Sequence, residues 1–159
     1  MGVEIERKFL VNKQKWQQFD KGKPELYRQG YILTDPDKTI RIRLTEQAAY
    51  ITIKGSSKGA SRQEYEYTIP RQDAEELLEN FCSSQVSKLR YKVKVSNKLW
   101  EVDEFLYNNE WLVLAEIELT NPYETFDLPI WIDTEVTGDK RYYNAYLSNT
   151  PYSTWQNEV

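Results

Sequence analysis

The chain has 159 residues, 40% of them apolar, and a formal net charge of −4. That balance suits one soluble domain spanning 1–159 and disfavours a broad nucleic-acid-binding surface. With no histidine and a single cysteine, Cys82, the sequence excludes Ser-His-Asp and Cys-His catalysis, His-ligated metal sites and an internal disulfide. No apolar run is long enough for a membrane helix and the N-terminus lacks a signal-peptide pattern, so no membrane partner is expected and the expected location is cytoplasmic.

Period-two alternation over 3–10 predicts a strand with Glu4, Glu6 and Lys8 on one face and Val3, Ile5 and Phe9 on the other. Asn12 is placed to cap a short helix through Lys13 to Phe19. A strand over 26–33 follows, with looser alternation through Tyr27-Arg28-Gln29-Gly30-Tyr31. The strand at 39–44 sets Arg41 and Arg43 against Ile40, Ile42 and Leu44, and the next, at 50–54, brings Lys54 after Ile51 and Ile53. Residues 55–61 read as a mobile hairpin connection, because they lack Walker spacing and no helix pattern follows them. The strand at 62–69 aligns Arg62, Glu64 and Glu66. Pro70 then opens a second helix whose apolar stripe is Ala74, Leu77, Leu78 and Phe81. Three more strands, at 86–95, 99–105 and 112–119, carry Lys88 with Arg90, Glu101 with Asp103, and Glu116 with Glu118. Asp139 caps a third helix from Lys140 to about Leu147.

A sheet with one wet face produces such alternation without any site. Wet faces, however, mix small polar residues loosely, whereas here strand after strand repeats long charges of both signs at i and i+2. If the sheet closes, these charges line its interior and the apolar faces pack outward against the helices. Interior charges must be paired or liganded, since desolvating one alone costs several kcal/mol.

Glu4-Ile5-Glu6-Arg7-Lys8 resembles the ExExK signature of the CYTH superfamily, the triphosphate tunnel metalloenzymes. The likeness continues in order through Arg41-Ile42-Arg43, Thr52-Ile53-Lys54, Glu64-Tyr65-Glu66, Lys88-Leu89-Arg90-Tyr91, Trp100-Glu101-Val102-Asp103, Ala115-Glu116-Ile117-Glu118 and the block from Val136 to Tyr142. It implies an α+β, mainly β fold: an eight-stranded antiparallel closed tunnel (barrel) with a charged interior and helices packed outside. By the same resemblance Lys8, Arg41, Arg43, Lys54 and Arg90 contact phosphate, with Arg62 and Lys88 as additions. Glu4, Glu6, Glu116 and Glu118 match metal-associated positions. Asp103, with Glu64, Glu66 and Glu101, completes the metal shell, holds waters or orients the bases. An all-oxygen donor set points to Mg2+ or Mn2+. The expected general base is Glu4 or Glu6, and Lys8 is a proton shuttle or a charge clamp.

The expected function is metal-dependent hydrolysis of inorganic triphosphate, since the short chain and the Gly138-Asp139-Lys140-Arg141-Tyr142-Tyr143-Asn144-Ala145 block look most like the small bacterial triphosphatase branch. Alternatives are a class IV adenylate cyclase or thiamine triphosphatase, acting on another triphosphate-bearing small molecule, and a non-catalytic polyphosphate-binding module. Cyclase-branch members often carry a His-Phe pair ahead of ExExK, and this sequence has no histidine. A pure anion binder gains little from opposing carboxylate pairs. A homodimer is compatible with the chain.

Overall fold

The computed structural model describes residues 2–35 and 37–157. Strands β1 (Gly2–Val11), β2 (Glu25–Asp35), β3 (Lys38–Leu44), β4 (Ala49–Lys58), β5 (Ser61–Thr68), β6 (Ser84–Val95), β7 (Lys98–Phe105) and β8 (Val113–Glu118) run in the order β5-β4-β3-β2-β6-β7-β8-β1. Every neighbouring pair is antiparallel, and β1 pairs with β5 to close the barrel. A further strand, β9 (Ile132–Glu135), was not predicted; it joins β1 through Phe9 and Val11. One edge of β1 is thus shared, Gly2 to Ile5 going to β5 and the far half to β9.

Closure turns alternate side chains inward. The register then sets Arg43 beside Gln29, Lys54 beside Glu64, Lys8 beside Glu116 and Arg90 beside Asp103. The outward faces make the cores. Ile42 and Leu44 pack under Ala74 and Leu78 of α2 (Arg71–Asn80). Phe9, Trp100 and Ile117 pack with Trp131 and with Trp16 of α1 (Lys13–Gln18), the Trp16 and Trp131 rings meeting edge-on at 4.9 Å. Asn12 caps α1 as predicted, its Oδ1 accepting from the Lys15 amide at 3.0 Å. Glycine is required at position 30, where a Cβ would lie 2.6 Å from Leu78 Cδ2 and 2.7 Å from Cys82 Sγ. Among the described residues, no helix is long and apolar enough to cross a membrane.

Besides β9, several features differ from the expectations. The helices cover only part of the barrel, and Val3, Ile53, Tyr65 and Tyr67 on β1, β4 and β5 are exposed. Pro70 is the N-cap of α2 rather than its first residue, and Phe81 lies past its last turn with 64% of its surface exposed. The segment at 55–61 is mostly strand, since β4 runs on to Lys58 through a register shift and turns at Gly59, whose φ is +60°. The third helix is broken. A 3₁₀ turn, Lys140–Tyr142, is followed by extended Tyr143 and then α3 (Asn144–Asn149). Tertiary contacts override the local helical pattern here: the Tyr142 carbonyl accepts from Lys8 Nζ at 3.0 Å, and the Tyr143 hydroxyl bonds to Ser57 Oγ at 2.9 Å.

The inward face is also not charged along its whole length. Beyond Lys8, Lys88, Asp103 and Glu116 the same face carries Leu10, Val86, Phe105 and Leu114, which pack with Leu112, Val136 and Leu147 of α3. One end of the interior is therefore an apolar core sealed by the C-terminal segment.

Candidate functional site

The rest of the interior is a cavity of ≈ 320 Å³ lined by side chains from all eight barrel strands and by Thr137, Gly138, Tyr143, Asn144 and Ala145. Glu4, Glu6, Lys8, Arg41, Arg43, Lys54, Arg62, Lys88, Arg90, Glu116 and Glu118 all line it. The strand order sorts them by sign. Arg41 and Arg43 on β3 face β8 across the ring, which carries Glu116 and Glu118, while Lys88 and Arg90 on β6 face β5, which carries Glu64 and Glu66. Glu4 and Glu6 extend the acidic side onto β1.

On the basic side the Tyr27 ring lies between two guanidinium groups, with the Arg43 Cζ at 5.0 Å and the Arg90 Cζ at 4.9 Å from its centroid. Arg43 Nε donates to Gln29 Oε1 at 2.9 Å. Arg41 donates to Thr52 Oγ1 at 3.1 Å and more weakly to Glu66, and its buried Nε has no partner among the described residues. Burial, reinforced by Arg41 and Arg90, lowers the Arg43 pKa to about 10, so the group stays charged at neutral pH. Burial likewise lowers the Lys88 ammonium to about 7, with Arg90 and Arg43 adding to the effect. This wall holds more positive charge than its carboxylates balance.

The acidic side has the opposite surplus. Burial and the nearby Glu116 and Glu4 push the Glu6 carboxyl well above its ordinary range. Glu116 is held well below its own: burial opposes this, but Lys8 at 3.6 Å, Arg90 and Lys88 outweigh it. Burial raises Glu4 too, and Glu64 adds to the rise while Lys54 at 3.0 Å offsets it. Mutually repelling oxygen donors of this kind fit a divalent cation. Among the described residues no group of three or more acids lies close enough together to hold a metal ion. A cation there would be held by no more than two of Glu4, Glu6, Glu116 and Glu118 at once, with water and ligand oxygens completing its shell.

Asp103, expected in the metal shell, is placed elsewhere. It is 1% exposed, is not among the lining residues, and spends both oxygens on Arg90 (2.8 and 2.9 Å) and Lys88 (2.8 Å). Against the cost of burial, those two cations hold its pKa at about 2. Other residues at the site were not picked as site residues from the sequence, among them Tyr27 and Gln29, and Tyr143 and Asn144 within the 138–145 block. The first two share a strand face at i and i+2, a signal masked by their lack of charge. Tyr143 and Asn144 flank the helix break, which leaves no local pattern.

Fold and site together define a closed antiparallel barrel with an ionic interior split into basic and acidic walls. The chain belongs to the CYTH family, whose domain matches residues 2–143. It is 50% identical over 157 residues to an inorganic triphosphatase of Acetivibrio thermocellus, covering 98% of this chain and 99% of that protein. It is 39% identical over 155 residues to an inorganic triphosphatase of Nitrosomonas europaea, covering 92% and 97% respectively. Among solved structures it is similar to that of the inorganic triphosphatase NE1496, with a TM-score of 0.62, 33% identity, and coverage of 91% of this chain and 96% of that one.

Proposed function

We propose that this protein is a divalent-metal-dependent inorganic triphosphatase, a hydrolase of phosphoanhydride bonds, with Mg2+ or Mn2+ as its cation. The observation that carries this reading is the split interior: a basic wall short of carboxylates, including the partnerless Arg41 Nε, faces an acidic wall short of cations. A linear polyanion accompanied by a divalent cation supplies what both walls lack. A polyanion alone would leave the acidic wall repelled, which disfavours a purely anion-binding module. The names of the near-full-length relatives point to the same substrate.

In this reading Arg41, Arg43, Lys88 and Arg90 bind the phosphoryl oxygens, with Lys8, Lys54 and Arg62 towards the acidic side. When bound, the cation neutralises phosphate charge and polarises the phosphoryl group under attack. Water attacks the terminal phosphorus in line; a new P–O bond forms as the bridging P–O bond breaks, releasing phosphate and pyrophosphate. Glu4 or Glu6 accepts the water proton, and the charge developing on the leaving oxygen falls to the guanidinium groups. Lys8, bonded to the Tyr142 carbonyl and paired with Glu116, acts as a charge clamp between the two walls. The free thiol of Cys82 fits a reducing compartment, and the reading places the protein in the cytoplasm.

The test is release of phosphate from inorganic triphosphate, measured with Mg2+, with Mn2+ and with chelator. Stoichiometric phosphate and pyrophosphate, abolished by chelator, is the expected result. Binding without cleavage under every metal condition overturns the proposal.

A further inference from the structure

Cations inside the barrel are held in two different ways. Lys54 and Arg90 are held by acids, the first by Glu4 and Glu64 and the second by Asp103 and Glu101. Arg43 is held by an amide. Its Nε donates to Gln29 Oε1 at 2.9 Å, and no ion pair to it occurs among the described residues.

The Gln29 side chain is fully buried, at 0% exposure, and its orientation is forced. Because Oε1 faces a guanidinium, which can only donate, Nε2 is left to donate to Tyr31 Oη at 3.2 Å and to Asn144 Oδ1 at 3.4 Å. Asn144 is fixed by the same logic, since its Oδ1 also accepts from Lys88 Nζ at 2.8 Å. A cation stands at each end of the pair, so flipping either amide would set donor against donor. The chain Arg43, Gln29, Asn144, Lys88 therefore runs from β3 across β2 to the start of α3 and on to β6.

Resting on the triphosphatase reading above, we infer that Gln29 and Asn144 are positioning residues, an amide pair that aims Arg43 and Lys88 into the cavity without adding negative charge beside them, Lys88 keeping Asp103 behind it, and thereby sets affinity for triphosphate. The choice of an amide here is informative. A carboxylate in place of Gln29 would make a stronger, charge-assisted bond to the same guanidinium and would relieve a buried, uncompensated cation, at the smaller cost of turning its second oxygen onto Asn144 Oδ1. Carboxylates fill comparable inward positions on β1, β5, β7 and β8. At Gln29 that exchange would neutralise the charge that a polyanion reads. Stability and binding therefore pull this position in opposite directions, and the residue present is the one that favours binding.

That conflict makes the inference testable with nearly isosteric variants of the whole chain. Gln29→Glu and Asn144→Asp are each compared with the parent in steady-state hydrolysis of inorganic triphosphate, in calorimetric binding of triphosphate, and in thermal denaturation. The expected result is a KM and Kd raised by about tenfold or more, a much smaller change in kcat, and a Tm equal to or above that of the parent in Asn144→Asp and close to it in Gln29→Glu. A residue that only supports the fold gives the reverse pattern, a lower Tm with unchanged affinity. The inference is overturned if affinity in both variants stays within about twofold of the parent, or if affinity falls only together with Tm or folding in both. Where one variant fails to fold, the other decides. A parent that binds triphosphate without cleaving it overturns the functional reading alone, and the Kd series still judges the amide pair. A parent that does neither overturns both.

Discussion

Asp103 meets Arg90 through two parallel hydrogen bonds, 2.8 Å at Oδ1 and 2.9 Å at Oδ2, and the same carboxylate takes Lys88 Nζ at 2.8 Å. One negative charge thus steadies two cations from behind the cavity wall. Its depth explains why it holds phosphate-facing groups in place and does not itself line the cavity.

Asp103→Asn should cost about 3–5 kcal/mol in urea denaturation, because it removes the counter-ion of buried Lys88 and leaves buried Arg90 with Glu101 alone. The effect depends on pH in a defined direction. Asp103 is held at about 2, below its ordinary 3.8, so between those values the unfolded chain binds the proton more readily than the folded one. Its stabilisation is full above about pH 4 and is lost as the pH falls towards 2. The gap between parent and variant should narrow over that window; a constant gap down to pH 2 rejects the account.

Arg43 and Glu116 should separate binding from chemistry. Arg43→Ala removes a cation with no carboxylate partner, strands no acid, and should raise KM for triphosphate by about 2–3 kcal/mol equivalent with little change in Tm. Glu116→Gln or Glu118→Gln should instead lower kcat and shift the metal titration to higher Mg2+ or Mn2+ concentrations. Activity measured against both substrate and metal concentration distinguishes them. Equal, mild effects from both kinds of substitution would mean that the interior is an ion-pair network and nothing more.

Much of this was legible because period two is a strong signal when one face is charged. Glu4, Glu6 and Lys8, or Arg41 and Arg43, announce their face regardless of context. Depth along the face is a different matter. Asp103 and Glu101 share a strand face, yet one is buried behind the wall and the other lines the cavity, and only closure and shear of the barrel decide which. The apolar end was present in the sequence, since Leu10 and Leu114 continue the inward faces of Lys8 and Glu116. Asn144 stands in the 138–145 block, but nothing local in that block marks its side chain as reaching Lys88. It reaches Lys88 only because Lys8 and Ser57 pin the backbone and side chain just before it, and those contacts are distant in sequence.

The apolar end should carry stability without contributing to binding. Phe105 is 3% exposed and Leu114 0%, and neither lines the cavity. Leu114→Ala or Phe105→Ala should cost about 2–5 kcal/mol through lost burial and the cavity left behind. KM for triphosphate, measured well below the lowered Tm, should stay close to that of the parent. A large rise in KM would show that the seal shapes the binding cavity directly.

Inorganic triphosphate should be a better substrate than ATP, and the reason lies in where the aromatic rings are. Four tyrosines line the cavity: Tyr27, Tyr31, Tyr50 and Tyr143. Tyr27 is occupied by Arg43 and Arg90, and Tyr143 by Lys8 and Arg62, each cation lying over the ring at 4.9 to 5.5 Å. Tyr31 is 2% exposed and bonded to Gln29, which leaves Tyr50 for a base to stack on. That stacking is worth about 1–3 kcal/mol. Against it, esterification of the α-phosphate removes a terminal charge from the stretch that several cations read, at about 1.5–3 kcal/mol for each charge-assisted bond lost. The apolar core around Leu114 also prevents a nucleoside from passing through the barrel to leave all three phosphates inside. The loss exceeds the gain, so kcat/KM measured at equal metal concentration should favour inorganic triphosphate. Faster turnover of ATP, or cyclic AMP among the products, would assign the cavity to a nucleotide instead.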